Sequence, residues 1–137
     1  MPDCLFCRIV SRSVPAEVVH ETPSAVAFLD VHPAARGHVL VIPRAHAPTL
    51  TELADDAVGD LFRTVKTVQL KVQAALQPIA FHVGWNHGGA AGQHVFHLHV
   101  HVLPRYTPGA GVQMLGEGGD PGALGATAAA IRAAKPG

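Results

Sequence analysis

Charge is scarce in this sequence and evenly balanced between the two signs. Charged residues make up 15% of the chain, and ten lysines and arginines match ten aspartates and glutamates. A surface that binds nucleic acid is normally basic, so this balance argues against a nucleic-acid partner. The sequence also lacks an apolar run of membrane-spanning length and the basic-then-apolar start of a secretory signal. We therefore expect a cytoplasmic protein that binds neither nucleic acid nor membrane.

Cysteine is equally scarce, and its two copies lie together. Cys4 and Cys7 are separated by two residues near the start of the chain. Without an export signal, such a pair is more typical of a metal site or a redox pair than of a structural disulfide. Both alternatives remain open from the spacing alone.

The pattern of apolar residues predicts a single α+β domain. A chain of 137 residues suffices for one core. Apolar runs bounded by turn residues predict strands, and one long stretch with helical spacing, which Thr51 can cap, predicts a crossover helix that Pro78 ends. We expect one domain over residues 1–137, with its core at about 4–106 and a glycine- and alanine-rich tail at 107–137. The predicted elements are a short helix or turn at 4–12, strands at 18–22, 25–31, 38–42, 79–85 and 93–103, the long helix at 51–77, and a short surface helix within 120–135.

Histidine, by contrast, is abundant, and three of the ten histidines alternate within one predicted strand. His97, His99 and His101 are interleaved with apolar residues, so they should share one face while Leu98 and Val100 point into the core. A purely structural role is one interpretation. It is the less favoured one, because three crowded neutral imidazoles each need both a donor and an acceptor.

The chemistry open to these residues is phosphate chemistry or metal chemistry. Residues 86–92 are rich in glycine, and such a loop either lets backbone N–H groups approach an anion or only turns the chain. Asp30, at the end of a predicted strand, could accept hydrogen bonds from sugar hydroxyls. A histidine can attack phosphorus directly, with a backbone carbonyl holding its tautomer because the histidine strand contains no carboxylate. The rival is a three-histidine zinc site with an open position for water.

The sequence resembles the histidine triad (HIT) family of nucleotide hydrolases and transferases. The matching segments, in order, are FCRIVSRSVPAEVVHE (6–21), AFLD (27–30), GHVLVIPRAH (37–46) and NHGGAAGQHVFHLHVHVLPR (86–105). The resemblance implies an α+β fold with a five-stranded antiparallel sheet, one long crossover helix and a short N-terminal helix. It also implies a homodimer whose sheets join edge to edge, and cleavage of purine nucleoside phosphates at the α-phosphorus.

The resemblance also implies a set of roles for individual residues. His99 would be the nucleophile, with His101 and His38 contacting or orienting the phosphate. The expected nucleotide-binding residues are Phe6, Phe28, Asp30, Val31, Asn86, Gln93 and His101. Family members with a Cys-x-x-Cys start hold one structural zinc, and here its ligands would be Cys4, Cys7, His46 and His97.

His94 departs from the family pattern, which has serine or threonine at this position. We predict that His94 is a catalytic residue that tunes leaving-group chemistry, although in a regular strand it would face away from the triad. The alternative is a surface histidine that contributes only its backbone N–H. The first function expected is a hydrolase of adenosine phosphoramidates or dinucleoside polyphosphates. A nucleotidyl transferase with a phosphate acceptor, or a nucleotide-binding regulatory protein with incidental hydrolysis, is the alternative.

Overall fold

A computed structural model describes residues 3–108 and 123–135 of the chain. It contains a five-stranded sheet in the order β1-β2-β3-β5-β4, in which every neighbouring pair is antiparallel. The α+β prediction is confirmed. The elements are α1 (Leu5–Val10), β1 (Val18–Glu21), β2 (Ala25–Leu29), β3 (Val39–Pro43), α2 (Asp55–Leu76), β4 (Ala80–Gly84), β5 (Val100–Arg105) and α3 (Leu124–Ala133), with short 3₁₀ turns at Leu50–Glu52 and Gly89–Ala91.

Helices cover both faces of the sheet, which explains why β2 and β3 are buried at every position. Successive side chains of a strand point to opposite faces. Ala25, Ala27 and Leu29 therefore join the larger core beneath α2. Val26 and Phe28 join a smaller core beneath α1. The smaller core is the side of the sheet on which the conspicuous histidines lie.

The long helix has the predicted apolar face but begins later than expected. Leu61, Val65, Val68 and Val72 are buried against the sheet, as the helical spacing predicts. The predicted start and cap at Thr51 are wrong. Residue 51 lies in the 3₁₀ turn, and the helix begins after Ala54 without a side-chain cap.

The C-terminal helix α3 is more than a surface feature. Its Ala128 and Ile131 are fully buried in the core beneath α2, and Arg132 donates to the Val18 carbonyl oxygen across 2.7 Å. Residues 109–122, which belong to the predicted glycine- and alanine-rich tail, lie outside the described residues. Among the helices that are described, none combines the length and the hydropathy of a membrane span.

The histidine segment is a strand only in its second half. The predicted strand at 93–103 begins at Val100, and residues 93–99 have no partner in the sheet. One reason is that the Leu98 amide donates to the Ala47 carbonyl oxygen (2.8 Å), beyond the end of β3. The predicted alternation of faces is nevertheless confirmed, since Leu98 and Val100 lie in the core beneath α2.

Candidate active site

Two buried histidines form a directed hydrogen-bond chain. The Ala34 amide donates to His38 Nδ1 (3.1 Å), so the proton of neutral His38 lies on Nε2. His38 Nε2 then donates to His101 Nδ1 across 2.9 Å. Neutral His101 must therefore carry its own proton on Nε2. The arrangement makes His101 a fixed donor to an anion, with its lone pair already occupied.

His99 is held in the opposite tautomer. Its Nδ1 lies 2.8 Å from the carbonyl oxygen of His97, an atom that can only accept, so Nδ1 carries the proton. The lone pair of His99 is consequently on Nε2, the atom of an imidazole that can attack an electrophile. The prediction that a backbone carbonyl holds the tautomer is confirmed. The His99 ring also meets the Phe6 ring edge to face, with centroids 5.1 Å apart.

His99 and His101 line a pocket of about 300 Å³ between α1, the end of β2 and the histidine segment. One end is apolar, and Phe6 and Phe28 pack there with centroids 5.4 Å apart. Asp30, His101 and His99 form a polar end: Asp30 and His101 both lie close to His38, and the rings of His101 and His99 have centroids 5.2 Å apart. The lining consists of Leu5, Phe6, Ile9, Val14, Pro15, Ala16, Phe28, Leu29, Asp30, Val31, His32, Leu40, Asn86, Gly92, His94, Val95, His99 and His101.

The carboxylate of Asp30 is already oriented at the polar end. Its Oδ1 accepts from the His32 amide (2.9 Å), and its Oδ2 lies 3.9 Å from His38 Nε2. Val31, the next residue, is exposed and lines the pocket. Asp30 thus has acceptor capacity left for a ligand beside the His38–His101 pair.

Gln93 and Asn86 support the glycine-rich loop in different ways. The buried Gln93 side chain accepts from the Gly88 amide (2.8 Å) and donates to the carbonyl oxygens of Pro48 (2.7 Å) and Val95 (3.0 Å). These bonds engage both ends of its amide, so the side chain holds the loop and is absent from the pocket lining. Asn86 lines the pocket and reaches the Gly92 carbonyl oxygen at 3.5 Å.

His94 is exposed and lies in the irregular segment before β5. In an irregular backbone, unlike in a regular strand, it can approach the other histidines. It lines the main pocket and also a neighbouring trough of about 430 Å³ formed by Asp3, Cys4, Leu5, His46, His94, Val95 and Phe96. It therefore stands where the two depressions meet. Strand parity, which would turn it away, does not extend back to residue 94, because the chain bends at residues 95–97.

Burial keeps the site histidines neutral. Desolvation lowers the pKa of His101 to about 3, with smaller contributions from the neighbouring His38 and His99. Burial also lowers the pKa of His38, although the Asp30 carboxylate partly opposes this. The pKa of His99 is lowered too, chiefly by desolvation. Neutral imidazoles are what the hydrogen-bond assignment above requires.

A second cluster of side chains is suited to a metal ion. The donor atoms of Cys4, Cys7, His46 and His97 all lie within 4.8 Å of one another. His97 Nε2 donates to the Pro43 carbonyl oxygen (2.8 Å), which leaves the Nδ1 lone pair beside Cys4 Sγ (3.4 Å). An outer hydrogen bond of this kind is typical of histidine metal ligands. Two thiols and two imidazoles are also a common set for tetrahedral zinc. The four residues could therefore hold a metal.

Asp30, His38 and His101 also place three donor atoms within 4.8 Å of one another. The facing nitrogens of the two histidines are 2.9 Å apart and share a proton, so this group fits a hydrogen-bond chain better than a metal site.

The sequence interpretation missed several groups that shape the site. His32 lines the pocket next to Asp30, and the amide of Ala34 fixes the tautomer of His38. The carbonyl of Pro43 does the same for His97. No sequence signal identifies the two backbone groups, because any residue supplies them. For His32, its position two residues after Asp30 was the available clue.

Comparison with known proteins shows the family. A family model described as HIT domain matches residues 11–108. Protein hit of Bacillus subtilis is 36% identical over 109 residues, which cover 80% of this chain and 75% of that protein. The adenosine 5′-monophosphoramidase of Schizosaccharomyces pombe is 40% identical over 102 residues, 74% of each chain. An adenylylsulfatase of Arabidopsis thaliana is 35% identical over 103 residues, 75% of this chain and 52% of that protein.

Solved structures agree in fold over nearly the whole chain. A HIT-like protein of Bartonella henselae has a TM-score of 0.86 at 27% identity, covering 98% of both chains. A zinc-bound histidine triad family protein of Mycobacterium smegmatis has a TM-score of 0.84 at 32% identity, covering 96% of this chain and 92% of that one. On the sequence match and the shared fold, the chain belongs to the histidine triad (HIT) family.

Proposed function

We propose that the protein is a nucleotide hydrolase that cleaves purine nucleoside phosphoramidates or dinucleoside polyphosphates at the α-phosphorus. The observation that carries the proposal is the pair of opposite tautomers. His99 has an available Nε2 lone pair, and His101 presents an N–H in the same pocket. One is suited to attack phosphorus and the other to stabilise the charge that develops on the phosphoryl oxygens. The names of the relatives from S. pombe and A. thaliana support the same class of reaction.

The proposed reaction has two steps. His99 Nε2 attacks the α-phosphorus, a nitrogen–phosphorus bond forms, and the bond to the leaving amine or nucleoside polyphosphate breaks; a leaving amine takes up a proton, which His94 at the pocket can supply. Water then attacks the nucleotidyl-histidine, which releases the nucleoside monophosphate and returns neutral His99. The apolar end of the pocket, with Phe6 and Phe28, would hold the base, and Val31 would border it. Asp30 would accept from the ribose hydroxyls, while Asn86 and the loop held by Gln93 would approach the phosphate.

Comparing three substrates under one set of conditions tests this function. Adenosine phosphoramidate, diadenosine triphosphate and diadenosine tetraphosphate should each be assayed, and the diadenosine substrates also in ¹⁸O-labelled water. Hydrolysis at the α-phosphorus places the label in the nucleoside monophosphate. Faster turnover of adenosine phosphoramidate on addition of phosphate, with adenosine diphosphate in place of the monophosphate as product, would instead indicate a transferase. Tight nucleotide binding without turnover of any of the three would indicate a regulatory binding protein.

We also propose that Cys4, Cys7, His46 and His97 hold one structural zinc ion per chain. The zinc-bound neighbour from M. smegmatis and the donor set support this assignment. Bound there, the ion would cross-link the N-terminal helix to the end of β3 and the histidine segment.

The pH dependence of kcat/KM should reflect the protonation state of the buried pair His38 and His101. His101 must be neutral to accept from His38 and to keep its directed N–H. Because burial lowers the pKa of both below the ordinary 6.5, both stay neutral as the pH falls through that value. The Asp30 carboxylate that faces His38 raises its pKa, whereas Arg105 and His99 lower it. The net effect on the pKa of His38 is still a decrease. We expect kcat/KM to remain level from about pH 8 to 6.5 and its acid limb to begin below 6.5. A half-maximal value already at pH 6.5 would contradict this account.

Histidines with lowered pKa also make folding stability depend on pH. In the unfolded chain these imidazoles take up protons near pH 6.5, whereas in the folded protein they do not. The free energy of unfolding should therefore fall as the pH drops below about 6.5.

His94→Ala should slow substrates with poor leaving groups by at least about tenfold, a lower bound, since general-acid help typically contributes about a hundredfold or more. The exposed imidazole at the pocket mouth can protonate a departing alkyl amine, whereas nitrophenolate needs no proton. The rates of hydrolysis of an alkyl phosphoramidate and of a nitrophenyl ester of adenosine monophosphate measure the difference. His32→Ala is the matched control, because His32 lines the same pocket beside Asp30 and should affect both substrates alike. Unchanged rates in His94→Ala would leave its imidazole with no chemical role.

We propose that the protein is a homodimer joined along β4. Within the described sheet, β4 is an edge strand, and Val83 and Trp85 are exposed at and just beyond its end. The opposite edge, β1, is covered near Val18 and Val19 by Arg132 and Lys71. Val83→Lys should give a monomer by light scattering, since charge on an edge strand opposes pairing. His20→Lys on β1 is the control and should leave the mass of a dimer; a monomeric wild type would refute the proposal.

A further inference from the structure

His97 belongs to both the metal cluster and the support of the nucleophile. Its side chain offers Nδ1 to the cluster, 3.4 Å from Cys4 Sγ and 3.6 Å from Cys7 Sγ. Its backbone carbonyl oxygen accepts the hydrogen bond from His99 Nδ1 at 2.8 Å. One residue therefore connects the proposed metal ligands to the atom that fixes the tautomer of His99.

The position of that carbonyl depends on a few contacts outside the sheet ladder. Residues 93–99 precede β5 and take no part in the sheet ladder, so regular strand pairing does not fix their backbone. Around His97 the segment is held by the bond from Leu98 N–H to the Ala47 carbonyl oxygen and by the bond from His97 Nε2 to the Pro43 carbonyl oxygen. Both acceptors lie in the 43–47 stretch, which also carries His46. A metal bound to His46 and His97 would tie the same two stretches together a third time.

We infer that the metal cluster positions the nucleophile: metal binding to His97 and His46 fixes the His97 carbonyl oxygen, which holds His99 with its proton on Nδ1 and its lone pair on Nε2. The inference rests on the proposed function and on the proposed zinc site. His97 and His46 are positioning residues in this account, since neither lines the pocket of the phosphate-facing histidines. Loss of the metal should act on the chemical step.

Nucleotide affinity should depend much less on the metal. The Phe6 ring contacts His99, but it is also buried against Phe28, Leu40 and Ile42, and hydrophobic burial holds it there without a metal. The apolar end of the pocket should therefore survive metal loss. A fall in kcat with nearly constant affinity distinguishes misplacement of His99 from general damage to the site.

The test uses the double variant Cys7→Ser/His46→Ala, which removes two ligands that do not touch His99 and keeps the Cys4 Sγ that accepts from the Cys7 amide at the start of α1. Four quantities are measured: zinc content, the tautomer of His99 by long-range ¹H–¹⁵N correlation of the imidazoles, the affinity for adenosine monophosphate, and kcat with adenosine phosphoramidate. Arg132→Ala is the control for lost stability, because it removes the bond between α3 and the Val18 carbonyl at a distance from the cluster.

We expect the zinc-free double variant to lose the pure Nδ1–H form of His99. Its kcat should fall at least about tenfold, since a misplacement of about 1 Å can cost on the order of a hundredfold. Affinity for the monophosphate should stay nearly constant, and the control should retain tautomer and kcat. The single variant His46→Cys, in which cysteine supplies another zinc ligand, should have the Nδ1–H tautomer of His99 and the kcat of the wild type.

Two results would overturn the inference: a zinc-free double variant in which His99 keeps its tautomer and kcat, or a double variant that retains stoichiometric zinc. If the double variant does not fold, His46→Ala is titrated with zinc, and the His99 signals must follow zinc occupancy. If the wild type turns over no substrate, the proposed function fails, while the tautomer measurement still decides the inference.

Discussion

Replacing His99 by alanine should lower turnover by at least about a thousandfold, the scale seen when a nucleophile is removed. In the pocket, the His99 imidazole holds its proton on Nδ1, which leaves the lone pair on Nε2 available for attack. Affinity for adenosine monophosphate should remain nearly intact, because the base and ribose contacts that we propose lie at Phe6, Phe28 and Asp30. Steady-state kinetics and calorimetric titration of the same preparation give the two values.

His87→Ala is the matched control for this variant. His87 is an exposed histidine in the glycine-rich loop and is absent from the pocket lining, so its loss should leave turnover close to that of the wild type. More than a tenth of wild-type turnover in His99→Ala would mean that another group attacks phosphorus.

Cys4→Ser should lower the melting temperature by roughly 15 °C and abolish stoichiometric zinc. A ligand present at 1,000 times its Kd stabilises the folded state by about 4 kcal/mol. For a domain of this size, 1 kcal/mol corresponds to about 4 °C. Serine is a good N-cap and can replace the Cys4 Sγ that accepts from the Cys7 amide, so the change mainly removes a metal ligand. Thermal unfolding and metal analysis of protein purified without chelator measure both effects.

A chelator supplies the control for the cysteine variant. It should lower the melting temperature of the wild type to that of Cys4→Ser and leave the variant unchanged. A wild-type protein without zinc but with an unaltered melting temperature would eliminate the structural metal.

The alternation of His97, His99 and His101 predicted the faces of the site correctly, because side-chain direction follows the backbone even outside a sheet. The same pattern could not reveal where the strand begins. That boundary is set by the contact of Leu98 with the Ala47 carbonyl, a pairing between residues distant in sequence. The residue types alone also left the role of His97 open, since a histidine in this register suits catalysis as well as metal binding. Its partners, the cysteines and Pro43, come from other parts of the chain.

The misplaced helix start has a local cause. Thr51 has the side chain of a good cap, but the Thr49 hydroxyl donates to the Glu52 carboxylate and the chain makes a 3₁₀ turn first. Propensity alone does not separate a 3₁₀ turn from the first turn of an α-helix. The apolar stripe of α2 was predictable, because burial against the sheet selects it over several turns.

Trapping the covalent intermediate tests directly whether His99 is the nucleophile. The protein is mixed with excess adenosine phosphoramidate, quenched within one turnover under alkaline conditions, digested, and analysed by mass spectrometry. We expect an adenylyl group on His99, absent from His99→Ala and lost when the wild type is given time to turn over. Active enzyme that yields no adduct on His99 at any quench time, or an adduct on a different residue, would contradict it.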